Sequence, residues 1–130
     1  MKPTLLCYHL SGEKASKIRF AAMRLRILLR DVKPEEYGWT LNALCGLEEA
    51  GESIPCEETF SDEMLVMANF PAGMMNAFLG LFRRMGIAPV ALKAMLTPTN
   101  AAWNSEKLHA EIAGEHQAMM NGKEKRHQPD

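Results

Sequence analysis

Two short apolar runs, Leu5 to Leu10 and Met64 to Phe70, restrict what this chain can fold into more than any other feature. Neither run alternates apolar with polar residues. Continuous apolar runs of strand length suit strands covered on both faces. Each run is followed by a stretch with helical period. Ala15, Ile18, Ala22 and Leu25 form one stripe, and Met74, Phe78, Leu81, Phe82 and Met85 form another, widened by Met75 and Leu79. Each helix then gives way to a second strand-like stretch. Arg26–Lys33 is stopped by Pro34, which has no N–H to give a ladder, and Val90–Leu96 alternates Val90, Leu92, Ala94 and Leu96 against Ala91, Lys93 and Met95.

Sliding the chain on itself by 60 residues aligns these elements without a gap. Leu5 falls on Leu65, Leu6 on Val66, Ile18 on Phe78, Arg24 on Arg84, Ile27 on Ile87 and Lys33 on Lys93. Trp39 and Trp103 correspond only if a few residues are inserted. Matched residues that share predicted elements and apolar pattern indicate an internal repeat. The sequence therefore predicts one α/β (α+β) domain over residues 1–120. It is built from two βαβ-type repeats at about 4–50 and 64–120, with a flexible tail at 121–130. Two arrangements fit. The favoured one is a ferredoxin-like four-stranded antiparallel sheet with added helices, its two main helices on one face. The alternative is a four-stranded parallel sheet in a three-layer α/β arrangement. A short helix at about Thr40–Ala50, ended by Gly51, joins the units, followed by an acidic connection pinned by Ile54 and Phe60. The last helix is expected to open at Thr97-Pro98-Thr99-Asn100 and run through Trp103, Leu108 and Ile112 to about Met120.

A chain of 130 residues can bury one substantial core. No stretch approaches the roughly 20 apolar residues of a membrane span, and the N-terminal run, soon interrupted by His9, Lys14 and Lys17, makes a poor signal peptide. Cys7, Cys45 and Cys56 form no CxxC pair, so neither a disulfide framework nor a zinc knuckle is indicated. A cytoplasmic location follows. Cys7 and Cys45 lie in apolar segments and read as buried thiols; Cys56 sits among Glu52, Glu57 and Glu58, a setting that disfavours a thiolate.

The charges are segregated. Lys2, Lys14, Lys17, Arg19, Arg24, Arg26, Arg30 and Lys33 stand early in the chain, and residues 34–63 hold Glu and Asp with no Lys or Arg. The basic first helix, with Lys14, Lys17, Arg24 and Arg26, gives nucleic-acid binding as an alternative function. Neutralisation by the acidic segment opposes it.

The leading candidate site is Lys93, Thr97, Thr99, Asn100 and Trp103. A helix N-terminus offers unpaired N–H groups and a partial positive charge to a small anionic ligand, and Lys93 could add a full charge. The same residues also suit plain capping. His109 and His116 lie on one face near Glu106 and Glu115, but without HExxH they read as a solvated face, and no metal site is assigned. His9 ends the first strand, where α/β sites form. No GxGxxG, P-loop or GxSxG motif is present. The sequence therefore assigns no catalytic residue and no cofactor, and leans away from an enzyme. It points to a small-ligand or regulatory module, compatible with a homodimer through a sheet face or the Met-rich helix of Met74, Met75 and Met85.

Three stretches carry a family resemblance: Tyr37-Gly38-Trp39-Thr40-Leu41-Asn42-Ala43-Leu44, Lys93 to Asn100 with Trp103, and Leu108 to His116. On these the chain resembles the bacterial family of domain of unknown function 3783, over most of its length except the tail. The resemblance implies a small cytoplasmic bacterial protein. It supplies no activity, substrate or partner.

Overall fold

The computed structural model describes residues 2–47, 49 and 60–127. The two apolar runs form β1 (Thr4–Tyr8) and β3 (Met64–Ala68), each buried at every position. α1 (Gly12–Arg24) leads from β1 to β2 (Leu28–Asp31), and α3 (Met74–Met85) leads from β3 to β4 (Leu92–Met95). The sheet runs β2-β1-β3-β4. Pairing is parallel within each unit and antiparallel between β1 and β3 at the centre.

The molecule is thus a mixed α/β protein of two βαβ units. Its sheet is mixed too, neither the all-antiparallel ferredoxin-like sheet nor the all-parallel one. The apolar pattern says which strands are covered; it does not say which strands are neighbours. Here each helix returns the chain directly beside the strand it left, which forces a parallel pair. Within the sheet the units then meet through their first strands, which run in opposite directions.

Helices cover both faces. On one, Leu5, Cys7, Leu65 and Met67 pack against Ile18 and Ala22 of α1 and Phe78 and Phe82 of α3. Leu6, Tyr8, Met64 and Val66 point the other way, toward Leu41 and Leu44 of α2 (Leu41–Leu44) and Leu108 of α4 (Ser105–His127). Burying each large aliphatic or aromatic side chain stabilises the fold by about 1.5–3 kcal/mol, so both helical layers are held by the same two central strands.

The 60-residue correspondence has a geometric counterpart. Leu6 faces Val66 across the central pair, and Leu5 faces Met67 while Cys7 faces Leu65, so shifting the numbering by 60 leaves the register unchanged. His9 and Asn69 both leave their strands with left-handed backbone, at φ 59° and 60°. Arg26 and Gly86 end α1 and α3 at φ 57° and 67°. Ile27 N–H then donates to Ala22 O, and Ile87 N–H to Phe82 O, both at 2.8 Å. Beyond this point the units diverge. Leu28 follows Ile27 directly, whereas Ala88-Pro89-Val90-Ala91 intervenes between Ile87 and Leu92. From there the offset is 64: Thr40 and Asn104 cap α2 and α4 through side-chain oxygens and form a β-bridge with each other.

Several boundaries differ from the sequence reading. α4 opens at Ser105 under the Asn104 cap, not at Thr97–Asn100, where there is only a 3-10 turn over Asn100–Ala102. α3 starts at Met74 because Gly73, at φ 84°, separates it from Pro71. The helix expected over 40–50 is confined to α2, and its expected stop at Gly51, with Ile54, lies outside the described residues. α4 continues past Met120 to His127.

Candidate ligand pocket

The stretch Ile87–Val90, which has no counterpart in the first unit after its leading isoleucine, forms one wall of an apolar cavity of about 300 Å³. Leu79 and Phe82 of α3 form the opposite wall. Ile87 and Val90 are buried, so this wall is anchored in the core. Two cations line the cavity: Arg83, exposed on the last turn of α3, and Lys93, from the edge strand. The volume is near the lower end of ligand-binding clefts, roughly 300–1,000 Å³. Lys93 Nζ donates to Val90 O at 2.5 Å, which parks the ammonium at the cavity wall.

A second unit-to-unit contact fixes the same wall. Lys14 of α1 donates to Glu63 Oε1 at 2.6 Å and to Pro89 O at 3.3 Å, tying the first helix to the start of β3 and to the inserted segment. Beside it lies a hollow of about 200 Å³ between Glu13, Lys14 and Lys17 on one side and Gly86–Ala88 on the other.

The residues singled out in the sequence are divided by the sheet. Lys93 pairs with Leu65, whose side chain packs toward α1 and α3, so Lys93 lies on that face. Trp103 packs on the opposite face, with Lys107 Nζ 5.0 Å from its ring centroid. Thr97 and Asn100 do come together, but on each other. Thr97 N–H donates to Asn100 Oδ1 at 2.8 Å, Asn100 N–H to Thr97 Oγ1 at 3.1 Å, and Asn100 Nδ2 to Met95 O at 2.9 Å. This closed turn consumes the donors that an anion would need. Thr99 is exposed and provides no side-chain cap. The expected helix start supplies no dipole at this point, because α4 begins later.

The basic set is also divided. Lys14 and Lys17 stand at the start of α1, paired with Glu63 at 2.6 Å and Glu13 at 3.4 Å. Arg24 ends the helix and Arg26 follows it, about 15 Å away at 1.5 Å per residue. The acidic stretch supplies some of the neutralisation: Glu63 meets Lys14, and Glu36 meets Arg30.

His9 donates to or accepts from Tyr37 Oη at 2.8 Å, and Tyr8 Oη lies 2.7 Å from Ser105 Oγ. Phe60 stacks between Tyr37 (5.0 Å) and His109 (4.1 Å), and His109 Nε2 meets Asp62 Oδ2 at 2.8 Å. Among the described residues no buried side-chain polar atom lacks a partner, so this cluster reads as a clasp that holds the approach to β3 on the body. Cys7 is buried, and burial, with the nearby Asp31 charge, pushes its thiol up to about 12. Cys45 is pushed up to about 11, again mainly by burial. Neither is a thiolate near neutral pH. Cys56 lies outside the described residues. Among the described residues no group of three or more His, Cys, Asp or Glu is placed to hold a metal ion, and no helix is long and apolar enough to cross a membrane.

Sequence reasoning missed Leu79, Phe82, Arg83, Ile87, Pro89 and Val90 as a group. The available signal was the broken repeat: the offset changes from 60 to 64 at Ala88–Ala91, and an extra segment in one of two similar units has to go somewhere.

Comparison with known proteins matches residues 63–119, from the start of β3 into α4, to the family described as Domain of unknown function (DUF3783). The matched span holds the whole pocket and two of the three stretches on which the resemblance rests. Tyr37–Leu44 falls outside it. No curated protein and no solved structure matches the chain.

Proposed function

Taking the DUF3783 match as the half that carries the pocket, we propose that the protein is a non-enzymatic binding module for a small amphipathic anion. The ligand's apolar body occupies the cavity between α3 and the Ile87–Val90 segment, and its carboxylate or phosphate meets Arg83 and Lys93. The observation that carries this reading is the pairing of an apolar cavity with two cations on its lining. A charge-assisted hydrogen bond is roughly twice as strong as a neutral one, and Lys93 can exchange the Val90 carbonyl for an anion without leaving the site. We further read the two βαβ units as copies of one unit, the second specialised by its insertion. We read the protein as cytoplasmic, a reading that the free thiols Cys7 and Cys45 among the described residues support.

The test is a thermal-shift and calorimetric comparison of octanoate, octanol and inorganic phosphate. Octanoate is expected to raise Tm most, octanol less, and phosphate least. The double substitution Arg83→Ala/Lys93→Ala should remove the advantage of octanoate over octanol. A wild-type protein indifferent to all three, or a double variant that still prefers the carboxylate, sinks the proposal.

A further inference from the structure

The wall segment Ile87–Val90 is fixed firmly at its ends and lightly in its middle. Ile87 and Val90 are buried, and Ile87 N–H donates to Phe82 O at 2.8 Å, whereas Ala88 and Pro89 between them are exposed. Pro89 has no N–H, so its carbonyl is the backbone group by which it can be fastened. Two lysines hold the segment by such carbonyls. Lys93 of β4 donates to Val90 O at 2.5 Å, and Lys14 of α1 donates to Pro89 O at 3.3 Å.

The two ammonium groups are not equally free to move. Lys93 is exposed, and among the described residues it has no carboxylate partner. The Lys14 side chain is 22% exposed and is anchored on Glu63 Oε1 at 2.6 Å. Lys17, three residues on, lines the same small hollow as Lys14 but pairs within its own helix, with Glu13 at 3.4 Å.

This asymmetry matters once the pocket fills. On the reading given above, on which this inference rests, an anionic head draws Lys93 off Val90 O. A carboxylate is the stronger acceptor, because charge-assisted hydrogen bonds are roughly twice as strong as neutral ones. An alcohol is no better an acceptor than the carbonyl it would replace, so it leaves Lys93 in place. We propose that Lys14 is a positioning residue for anionic ligands. With Lys93 turned to the anion, the Glu63-anchored ammonium on Pro89 O holds the wall against the ligand's apolar body. The Lys14 contact is then worth more in the occupied protein than in the empty one, and a contact with that difference enters the binding equilibrium. Lys14 lies outside residues 63–119, so the unit matched to the family has its pocket braced by the other unit.

Calorimetric titration of the full chain with octanoate and with octanol tests it, in wild type, Lys14→Met and Lys17→Met. Methionine keeps the aliphatic stem and removes the ammonium. Lys14→Met is expected to weaken octanoate by about fivefold or more, the lower end of typical coupling between sites, and to leave octanol unchanged. Lys17→Met removes an equal charge from the same helix and should bind both ligands as wild type does. Should Lys14→Met fail to fold by circular dichroism, Lys14→Gln takes its place. The inference is overturned if the Lys14 variant binds octanoate as tightly as wild type, if it loses octanoate and octanol in parallel, or if Lys17→Met weakens octanoate equally. Those results leave the pocket itself standing. A wild type that binds octanoate no better than octanol sinks both the anion site and its brace.

Discussion

The first and second βαβ units share register and strand-exit geometry, and differ where the ligand pocket is proposed. The second unit has Phe82 and Arg83 where the first has Ala22 and Met23, and it inserts Ala88–Ala91 where the first runs straight from Ile27 into Leu28. The result is a cavity on one side and a bare strand on the other. Their common part is what the sheet demands: a strand covered on both faces, a sharp exit at His9 or Asn69, and a helix that returns the chain beside its start. The parts that diverge lie at the periphery, where the central register places no constraint.

The strongest way to break this comparison is to ask whether the units fold separately. Phe78 and Ile18 occupy matched positions on α3 and α1, and both are fully buried in one shared cluster. Phe78→Ala should cost about 3–5 kcal/mol and Ile18→Ala about 2–5 kcal/mol. Each should shift a single urea transition monitored at any probe. Two transitions in either variant, one for each half, would show that the central β1–β3 pair does not couple the units.

A second difference is chemical. Cys7 of β1 is matched by Met67 of β3, so only the first unit places a titrating group at this depth of the core. Burial, which penalises the thiolate, pushes the Cys7 thiol up from its ordinary value of 9.0 to about 12. The folded state therefore holds its proton where the unfolded state releases it. The associated stability is complete below pH 9 and falls as pH rises from 9 toward 12, by about 1.4 kcal/mol per pH unit. Cys7→Ala should pay a fixed cavity cost at neutral pH, and its deficit relative to wild type should shrink steadily across that window. A deficit independent of pH would mean that the thiol is accessible to water.

Much of this was legible in the sequence, for reasons that can be stated residue by residue. Leu5–Tyr8 and Met64–Ala68 read as covered strands because both faces of each are apolar, and the α1 and α3 stripes read as helices because their period is 3.6. The candidate site was not legible. Thr97, Pro98, Thr99 and Asn100 are capping types, but the same side chains also close a turn on themselves, and local sequence does not separate the two outcomes. Lys93 and Trp103 were grouped by proximity along the chain, while strand alternation sends Lys93 to the face opposite Trp103. The pocket joins α3 to a segment beyond its end, a juxtaposition created by how the crossover closes. Strand order was hidden for a related reason, since hydropathy records burial and is silent about neighbours.

The insertion itself gives a sharper test of the contrast. Deleting Ala88–Ala91, so that Ile87 runs into Leu92 as Ile27 runs into Leu28, should leave a folded protein, because the first unit already closes its crossover this way. The loss of buried Val90 costs about 2 kcal/mol, readable in the urea midpoint. Octanoate binding should disappear with the cavity wall. A deletion variant that binds as before would move the ligand site elsewhere.

The smallest expected effect tests the symmetry where it looks most exact in function and least equal in surroundings. Thr40 Oγ1 accepts from Ala43 N–H at 3.1 Å at the start of α2, and Asn104 Oδ1 accepts from Lys107 N–H at 2.9 Å at the start of α4. Removing such a cap typically costs about 1 kcal/mol. The two residues also face each other across the bridge that joins the units. If the bridge couples them, Thr40→Ala/Asn104→Ala should depart from the sum of the single effects by about 0.5 kcal/mol or more, since residues in contact are rarely additive. If the caps act only on their own helices, the effects should simply add, and the bridge then contributes nothing to the joint between the units. Urea denaturation of the four proteins in that cycle decides between the two, because both substitutions leave the buried core untouched.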